Sequence, residues 1–255
     1  MQTIKIFIRG LLSPVLGFSL RKDWTTAEAD SEGYESNSTL DDLATRVKGL
    51  PFPVGQKNDP RIESVISSIK NLLINYPENQ KVEVLDIGGS FGEYFFYIKD
   101  AIKTHSFAWT VLETEGHCSI VPLSLKTHND LSFKSELQDS VSHFHIALLS
   151  SVIQYVEEPY ALLEFACSKA DFVIVNRLPL SRFDSDKVAV QRPGLFNSKG
   201  SYPVHIFSEI QFLSRLNTFA EISSRWMVPQ DSAVIRFKYV ENQGMLLKPL
   251  RPQTV

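Results

Sequence analysis

The stretch VLDIGGSFGEYF, residues 84–95, constrains the fold most, because it places three glycines between a strand-like apolar run and a helix-like one. A strand that turns into a helix through glycines opens a β-α unit, and glycine lets a ligand approach the backbone where a Cβ would block it. The turn therefore predicts a nucleoside-type ligand at the carboxyl end of the strand. The alternative is a turn whose glycines serve only tight packing.

Strand-like and helix-like segments alternate through most of the chain. Apolar runs predict strands at 82–87, 107–113, 131–133, 143–150 and 171–176. Helical spacing and N-terminal signals predict helices at 60–75, 92–103, 159–169 and 208–216. This alternation predicts an α/β protein with a mostly parallel sheet and helices on both faces. Two further runs, 222–228 and 232–241, predict a C-terminal antiparallel hairpin that closes the sheet edge.

The pattern also predicts how the chain is divided. Residues 1–59 are expected to form an N-terminal extension that packs on the core, and residues 60–255 to form the main domain. The segment at about 178–215 is rich in loop-forming residues and is too long for an ordinary connection. We expect it to form a loop-rich cover over the site.

Composition excludes several classes of protein. The 255 residues include 26 basic and 29 acidic ones, a formal net charge of −3, so no broad cationic surface for nucleic acid is expected. The two cysteines, Cys118 and Cys167, form neither a CxxC motif nor a disulfide framework, which favours a reducing cytoplasm. The glycosylation sequon at Asn37 is then an accident of composition.

The first twenty residues raise the question of a membrane contact. They are apolar, but Lys5, Arg9 and Pro14 interrupt them, and the segment is too short to span a bilayer. A helix packed on the domain and an amphipathic segment at a membrane surface both fit this pattern. We favour packing, so a peripheral membrane contact is the less favoured expectation.

Two acidic residues accompany the glycine turn. Asp86 lies near the end of the first core strand, and Glu113 ends the next strand, where a carboxylate can accept both hydroxyls of a ribose. A dinucleotide needs N–H donors for its pyrophosphate, whereas S-adenosylmethionine carries a sulfonium and an amino-acid group that favour a nearby acid. Asp86 and the long segment before the first core strand therefore favour S-adenosylmethionine as the cofactor. An NAD-dependent oxidoreductase is the alternative.

The same residues resemble a known family. VLDIGGSFGEYF is similar to motif one of the class I S-adenosylmethionine-dependent methyltransferases, which implies a Rossmann-like fold. A longer set resembles a bacterial methyltransferase family often found in surface-polysaccharide gene clusters. That set comprises WTTA at 24–27 with Gly33 and Tyr34, DIGGSFGEYF at 86–95, SSVIQYVEEP at 150–159, VNRLPLS at 175–181 and YPVHIFSE at 202–209. The resemblance covers about residues 24–210.

The resemblance implies an activity and a set of cofactor-binding residues. The implied activity is methyl transfer to an oxygen or nitrogen of a small molecule, such as a sugar or glycan precursor. A non-catalytic methyltransferase-like binding module is a further alternative. The implied cofactor-binding residues are Asp86, Gly88, Gly89 and Gly92 at the turn, Glu113 for the ribose, and Ser150 and Ser151 after the fourth strand. The chain departs from the family pattern at Ser90, which replaces a glycine, and at His145, which replaces an acid.

Few residues are obligatory for methyl transfer, because an in-line displacement mainly requires an aligned acceptor and, for a hydroxyl, a proton acceptor. His205 is the first candidate for a general base, since its unperturbed pKa lies near neutral pH. Tyr155, just past the fourth strand, is the second catalytic candidate. The alternatives are a His205 held by hydrogen bonds under a loop and a Tyr155 that only packs. His143 and His145 have no third ligand nearby in sequence, so no metal is expected.

Overall fold

The computed structural model describes residues 17–36, 40–41, 43–45, 59–137, 143–192, 200–236 and 238–250. The first sixteen residues, the Asn37 sequon and residues 193–199 of the predicted cover lie outside the described residues. The predictions made for them therefore stay predictions. In the part of the chain that is described, no helix is both long and apolar enough to cross a bilayer.

Eleven strands form one sheet among the described residues. In chain order they are β1 (Phe18–Arg21), β2 (Lys81–Ile87), β3 (Ser106–Leu112), β4 (Leu131–Lys134), β5 (Phe144–Ser150), β6 (Ala170–Ser181), β7 (Lys187–Gln191), β8 (Tyr202–Ser208), β9 (Ala220–Met227), β10 (Ala233–Ile235) and β11 (Lys238–Pro249). The helices are α1 (Trp24–Ala29), α2 (Pro60–Leu73), α3 (Glu93–Ala101), α4 (Glu115–Ile120), α5 (Leu123–Lys126), α6 (Pro159–Lys169) and α7 (Glu209–Leu216).

The helix before the first core strand shows how local sequence determines an element. The Asp59 side chain accepts a hydrogen bond from the Arg61 backbone N–H at 2.9 Å, and Pro60 occupies the first helical turn. Both features favour a helix start, because the first N–H groups of a helix have no intrahelical acceptor. Val65, Ile69 and Leu72 then recur at helical spacing and are buried. Helix α2 therefore packs against the sheet along one face.

The strand order creates a crevice beside β2. The sheet runs β1-β7-β8-β6-β5-β2-β3-β4, and β2 to β6 are parallel to their neighbours within this order. The chain leaves β2 toward β3 on one side and returns to β5 on the other. At such a switch point the connections after the two strands diverge, and ligands bind outside the carboxyl ends of the strands. The glycine turn that follows β2 lies at this point.

Buried side chains cover both faces of the sheet. One core cluster includes Leu85 and Val175 with Leu163 of α6, and another includes Val84 and Ile174 with Ile69 of α2. Neighbouring strand residues thus point into opposite layers, as the two-residue repeat of a strand requires. The predicted α/β fold, with a mostly parallel central sheet and helices on both faces, is confirmed.

The C-terminal strands differ in detail from the predicted hairpin. Strand β11 lies between β6 and β9 and pairs antiparallel with both, so β9 rather than β11 forms the outer strand. The chain reverses at Arg236, whose φ is 44°, and the short β10 folds back on β11. Strand β11 takes this inner position because its apolar run Met245–Leu247 is buried throughout and needs cover on both faces.

The predicted loop-rich cover at about 178–215 is largely strand. Strand β6 continues to Ser181, and β7 pairs antiparallel with β8, while β1 adds to the free edge of β7. The turn-forming residues between these strands and Pro203 within β8 suggested loops, but alternating Ala189, Val204 and Ile206 side chains form a small buried core. The prediction of loops here was therefore wrong for the described residues.

Candidate active site

The glycine turn packs closely against the side chains of Val152 and Asp86. Gly88 has a φ of 68°, and a Cβ added there would lie 2.5 Å from Val152 Cγ2. A Cβ added to Gly89 would lie 2.3 Å from Asp86 Cγ. Neither position has room for a larger residue without a shift of its neighbours. Ser90, at φ 52°, adopts the left-handed conformation that a glycine takes more easily.

Asp86 lies buried beneath this turn. Its Oδ2 accepts a hydrogen bond from Trp109 Nε1 at 2.9 Å, and its side chain is enclosed by the protein. Its Oδ1 is buried without a hydrogen-bond partner among the described residues. Burial raises the pKa of Asp86 to about 8, although the Trp109 hydrogen bond opposes this shift. The free Oδ1 is therefore an acceptor that can receive a proton or a donor group from a ligand.

Glu113 joins the end of β3 to the glycine turn. Its Oε1 accepts a hydrogen bond from the Ser90 N–H at 3.0 Å, and its Oε2 accepts one from the Thr114 N–H at 3.2 Å. His117 Nδ1 lies 4.0 Å from Oε2, and burial of the ring lowers the pKa of His117. A neutral imidazole thus packs behind the carboxylate. Each carboxylate oxygen retains a lone pair for further hydrogen bonds.

The N–H groups of the turn are mostly engaged by the protein itself. The Gly88 N–H donates to Leu112 O at 2.8 Å, and the Gly92 N–H donates to Gly89 O at 2.9 Å. The Ser90 N–H donates to Glu113, and the N–H groups of Phe91 and Glu93 lie near the Glu93 carboxyl and lower its pKa against the larger effect of burial. Carboxylates of the chain therefore occupy the anion-binding positions of the turn.

Ser150 and Ser151 lie at the carboxyl end of β5, beside the turn. Ser150 Oγ lies 2.9 Å from the Tyr94 hydroxyl and 3.4 Å from Asn176 Nδ2. Ser151 has a φ of 61°, and its Oγ accepts a hydrogen bond from Gln154 Nε2 at 3.0 Å. Asn176 also donates to Tyr94, so Ser150 belongs to a fixed network between β5, β6 and α3. Ser151 begins the connection that contacts the glycine turn.

Tyr155 faces the strands beyond β6. Its hydroxyl donates to Gln191 Oε1 at 2.8 Å, and its ring packs edge-on against Tyr202 with centroids 6.5 Å apart. Tyr202 in turn contacts Tyr34 at 5.7 Å. Burial raises the pKa of Tyr155, so its hydroxyl remains protonated at neutral pH and can donate a hydrogen bond.

His205 lies apart from these groups. Its ring stacks on Trp24 with centroids 4.7 Å apart and on Phe207 with centroids 5.8 Å apart. Since side chains alternate along β8, His205 points to the face opposite Tyr202. Burial lowers the pKa of His205, while nearby backbone carbonyls at 156 and 157 oppose this shift. Its surroundings match the histidine that packs under a connection rather than the general base.

Four residues of the site were not selected from the sequence. Trp109, Glu93, His117 and Tyr34 all interact with Asp86 or Glu113 through hydrogen bonds or charge. Glu93 could have been found, because it follows Gly92 directly at the helix start. Trp109 lies at the site because β3 pairs with β2, and Tyr34 lies there because a distant segment folds onto it. No local sequence pattern predicts either contact. His143 and His145 lie at the other end of β5, where His143 pairs with Asp171.

The fold and the glycine site are those of a Rossmann-like α/β protein with a ligand crevice beside its first core strand. No protein-family model and no curated protein sequence matches the chain. Solved structures with a similar fold include the [4+2]-cyclase SpnF, with a TM-score of 0.53 and 12% identity over 85% of this chain and 96% of that one. The N-terminal domain of EvdMO1, in the presence of S-adenosylhomocysteine and D-fucose, has a TM-score of 0.51 and 12% identity over 82% of this chain and 97% of that one.

Magnesium protoporphyrin IX methyltransferase (ChlM) from Synechocystis PCC 6803, with bound S-adenosylmethionine, has a similar fold as well. Its TM-score is 0.50, with 17% identity over 90% of this chain and 98% of that one. At these identities the likeness shows the fold alone. Because a cyclase and a methyltransferase both have it, the reaction must be argued from the site of this chain.

Proposed function

We propose that this chain is an S-adenosylmethionine-dependent methyltransferase that transfers a methyl group to an oxygen or nitrogen of a small molecule. The observation that carries the proposal is the acidity of the glycine turn. Beyond the effect of burial, the Glu93 and Glu113 carboxyl groups both raise the pKa of Asp86, and Glu113 also raises the pKa of Glu93, so the three groups lie close together. A cofactor with a sulfonium and an ammonium group is attracted to such a site, whereas a phosphate-bearing cofactor is repelled.

The hydrogen bonds of the turn weigh against the NAD-dependent alternative. A pyrophosphate at a helix start needs free backbone N–H donors. At this turn the N–H groups of Gly88, Ser90 and Gly92 already donate within the protein. A dinucleotide would have to displace the Glu113 carboxylate and then bind beside it. The geometry supports a cofactor without phosphate.

The residues present fit the parts of S-adenosylmethionine. Asp86 Oδ1 has no partner among the described residues and would accept a hydrogen bond from the ammonium group. Glu113 would accept hydrogen bonds from the ribose hydroxyls with its remaining lone pairs. Gly88, Gly89 and Gly92 would allow the ligand to approach the backbone closely. Ser150 and Ser151 would border the methyl group and the acceptor.

The protein's part in the reaction is alignment. When bound, the cofactor supplies an electrophilic methyl carbon on a sulfonium. Asp86 and Glu113 would orient the bound ligand at the turn, and Tyr34, Tyr155 and Tyr202, which contact one another near Glu113, would exclude water from it. Alignment of this kind removes most of the entropic barrier to a bimolecular displacement. The family that the sequence resembles favours a sugar or glycan precursor in the cytoplasm as the acceptor, methylated on either a hydroxyl or an amino group.

Calorimetric titration of the purified chain with S-adenosylhomocysteine and with NAD tests the proposal. We expect heat from the adenosyl ligand and none from NAD. Tight NAD binding without any heat from S-adenosylhomocysteine would refute the proposed function. Binding of S-adenosylhomocysteine that survives both Asp86→Asn and Glu113→Gln unchanged would place the ligand elsewhere and favour the non-catalytic module.

A further inference from the structure

Two buried hydrogen-bond acceptors near the glycine turn have no partner among the described residues. Besides Asp86 Oδ1, the Oε1 atom of Gln154 is buried without a hydrogen-bond partner among the described residues. Gln154 is 4% exposed, and its Nε2 is already bound to Ser151 Oγ and to Arg177 O. An unpartnered buried acceptor is costly unless a ligand supplies a donor. The two unpartnered acceptors therefore favour a cofactor and a methyl acceptor that both carry N–H groups.

Three tyrosine rings contact one another near the Glu113 carboxyl. Tyr34 is tilted by 57° to Tyr202, and Tyr202 is tilted by 77° to Tyr155, so the rings form walls at steep angles rather than a stack. Burial raises the pKa of Tyr34, and the nearby Glu113 and Tyr155 groups raise it further, so both groups lie near this residue. Ring faces arranged in this way attract cations.

The segment that carries Tyr34 is held to β8. The Gly33 N–H donates to Ser201 O at 3.1 Å, and the Glu32 N–H donates to Ser201 Oγ at 3.1 Å. A Cβ added to Gly116 would lie 3.2 Å from Glu35 Oε1, so the chain just after Tyr34 lies over the start of α4. The segment thus spans from β8 to the end of β3, across the carboxyl end of β2.

The balance of charge in the crevice is negative. Glu93 lies near Asp86, Glu113 and Tyr34, and burial raises its pKa. The nearby cation is Arg177, which acts on Tyr155 and Tyr94 but is paired with Asp231. Asp231 is shared with Arg61, which is also paired with Asp59, so this group of two arginines and two aspartates is neutral. Once Asp86 and Glu113 hold the cofactor, Glu93 remains as an unmatched carboxyl beside the tyrosines.

We propose, on the basis of the proposed methyltransferase function, that the methyl acceptor is a small cationic amine held by Tyr34, Tyr155 and Tyr202, with Glu93 as the base that takes its proton. The amine binds as an ammonium ion and transfers one proton to the Glu93 carboxylate. Its nitrogen lone pair then forms the bond to the methyl carbon as the carbon–sulfur bond breaks, and the bonding electrons remain on sulfur as a thioether. Gln154 Oε1 accepts a remaining N–H of the acceptor.

The test compares an amine with an alcohol of the same shape. The full chain is first titrated with S-adenosylhomocysteine alone, and the saturated protein is then titrated with cyclohexylamine and with cyclohexanol at pH 7.5. We expect the amine to bind at least tenfold more tightly than the alcohol. We also expect methyl transfer from labelled S-adenosylmethionine to the amine and none to the alcohol.

Variants connect this preference to the named residues. Tyr34→Ala and Glu93→Gln should each lower the amine affinity at least fivefold when the variant is already saturated with S-adenosylhomocysteine, so that a change in cofactor affinity does not enter the comparison. Tyr34→Phe, which keeps the ring, should retain the amine affinity. Tyr239→Ala, which removes an exposed tyrosine on β11, is the matched control and should leave the amine affinity unchanged.

The two proposals fail in different ways. Absence of S-adenosylhomocysteine binding to the wild-type chain overturns the proposed function. Binding of S-adenosylhomocysteine together with equal or weaker affinity for the amine than for the alcohol, or with no measurable amine binding, overturns the acceptor inference alone. An amine preference that Tyr34→Ala and Glu93→Gln both leave intact overturns it as well.

Discussion

Trp109 donates a hydrogen bond from its indole Nε1 to Asp86 Oδ2, and this bond leaves Asp86 Oδ1 as the free acceptor beneath the glycine turn. The two residues lie on neighbouring strands, β3 and β2, so strand pairing fixes the direction of the carboxyl group. A carboxyl group that is buried and half satisfied is costly to ionise without a cation beside it. The packing of β3 on β2 therefore leaves a buried carboxyl oxygen that favours a positively charged ligand group.

The variant Asp86→Asn should change how stability depends on pH. The folded-state pKa of Asp86, about 8, exceeds its ordinary value of 3.8, so the folded chain holds this proton more tightly than the unfolded chain. Stability from this group is complete below pH 4 and is lost as the pH rises toward 8. Relative to Asp86→Asn, the wild type should lose up to about 1.4 kcal/mol per pH unit in that window. Urea unfolding at pH 4, 6 and 8 measures the difference, and a difference that is constant with pH would contradict the account.

Binding of S-adenosylhomocysteine should release a proton. A ligand ammonium favours the ionised form of Asp86, which is the minor form below a pKa of about 8. The affinity should therefore rise by up to about tenfold per pH unit between pH 6 and 8. Calorimetry in two buffers of different ionisation enthalpy counts the released protons. The same titration of Asp86→Asn should show weaker binding without this pH dependence, and an equally steep dependence in the variant would exclude Asp86 as its source.

The variant Gly89→Ala should destabilise the chain and weaken cofactor binding. The added Cβ would lie 2.3 Å from Asp86 Cγ, so the turn or the carboxyl must move. Overpacking of this kind costs about 1–3 kcal/mol. Gly17→Ala is the matched control, because a Cβ there meets no other described residue within 4 Å. Thermal unfolding with and without S-adenosylhomocysteine compares them, and equal effects of the two substitutions would argue against close packing at the turn.

The variants His205→Phe and His205→Ala separate packing from base catalysis. Since His205 stacks between Trp24 and Phe207, we expect His205→Phe to keep most of the methyl-transfer rate. The alanine variant should lose about 2–4 kcal/mol of stability, because it leaves a cavity between two rings. Rates are compared at saturating cofactor. A loss of activity of a hundredfold or more in a stable His205→Phe variant would restore His205 as a catalytic residue.

The sequence predicts the parts of this protein that local pattern determines. The strands that contain Asp86 and Ser150 are apolar runs with clear ends, and the glycine turn follows from three glycines at a strand end. The position of β11 between β6 and β9 could not be predicted, because it depends on pairing between segments about seventy residues apart in sequence. The roles of Trp109 and Tyr34 depend on the same long-range folding. His205 was a candidate base because the unperturbed pKa of any histidine lies near neutral pH. Its surroundings depend on Trp24, which is distant in sequence.

The most direct test of the central claim is a crystal structure of the chain with S-adenosylhomocysteine. The account predicts the ligand's amino group within hydrogen-bonding distance of Asp86 Oδ1 and its ribose hydroxyls on Glu113. A ligand bound outside the β2 crevice, or one whose ribose lies away from Glu113 while its amino group lies away from Asp86, would contradict it.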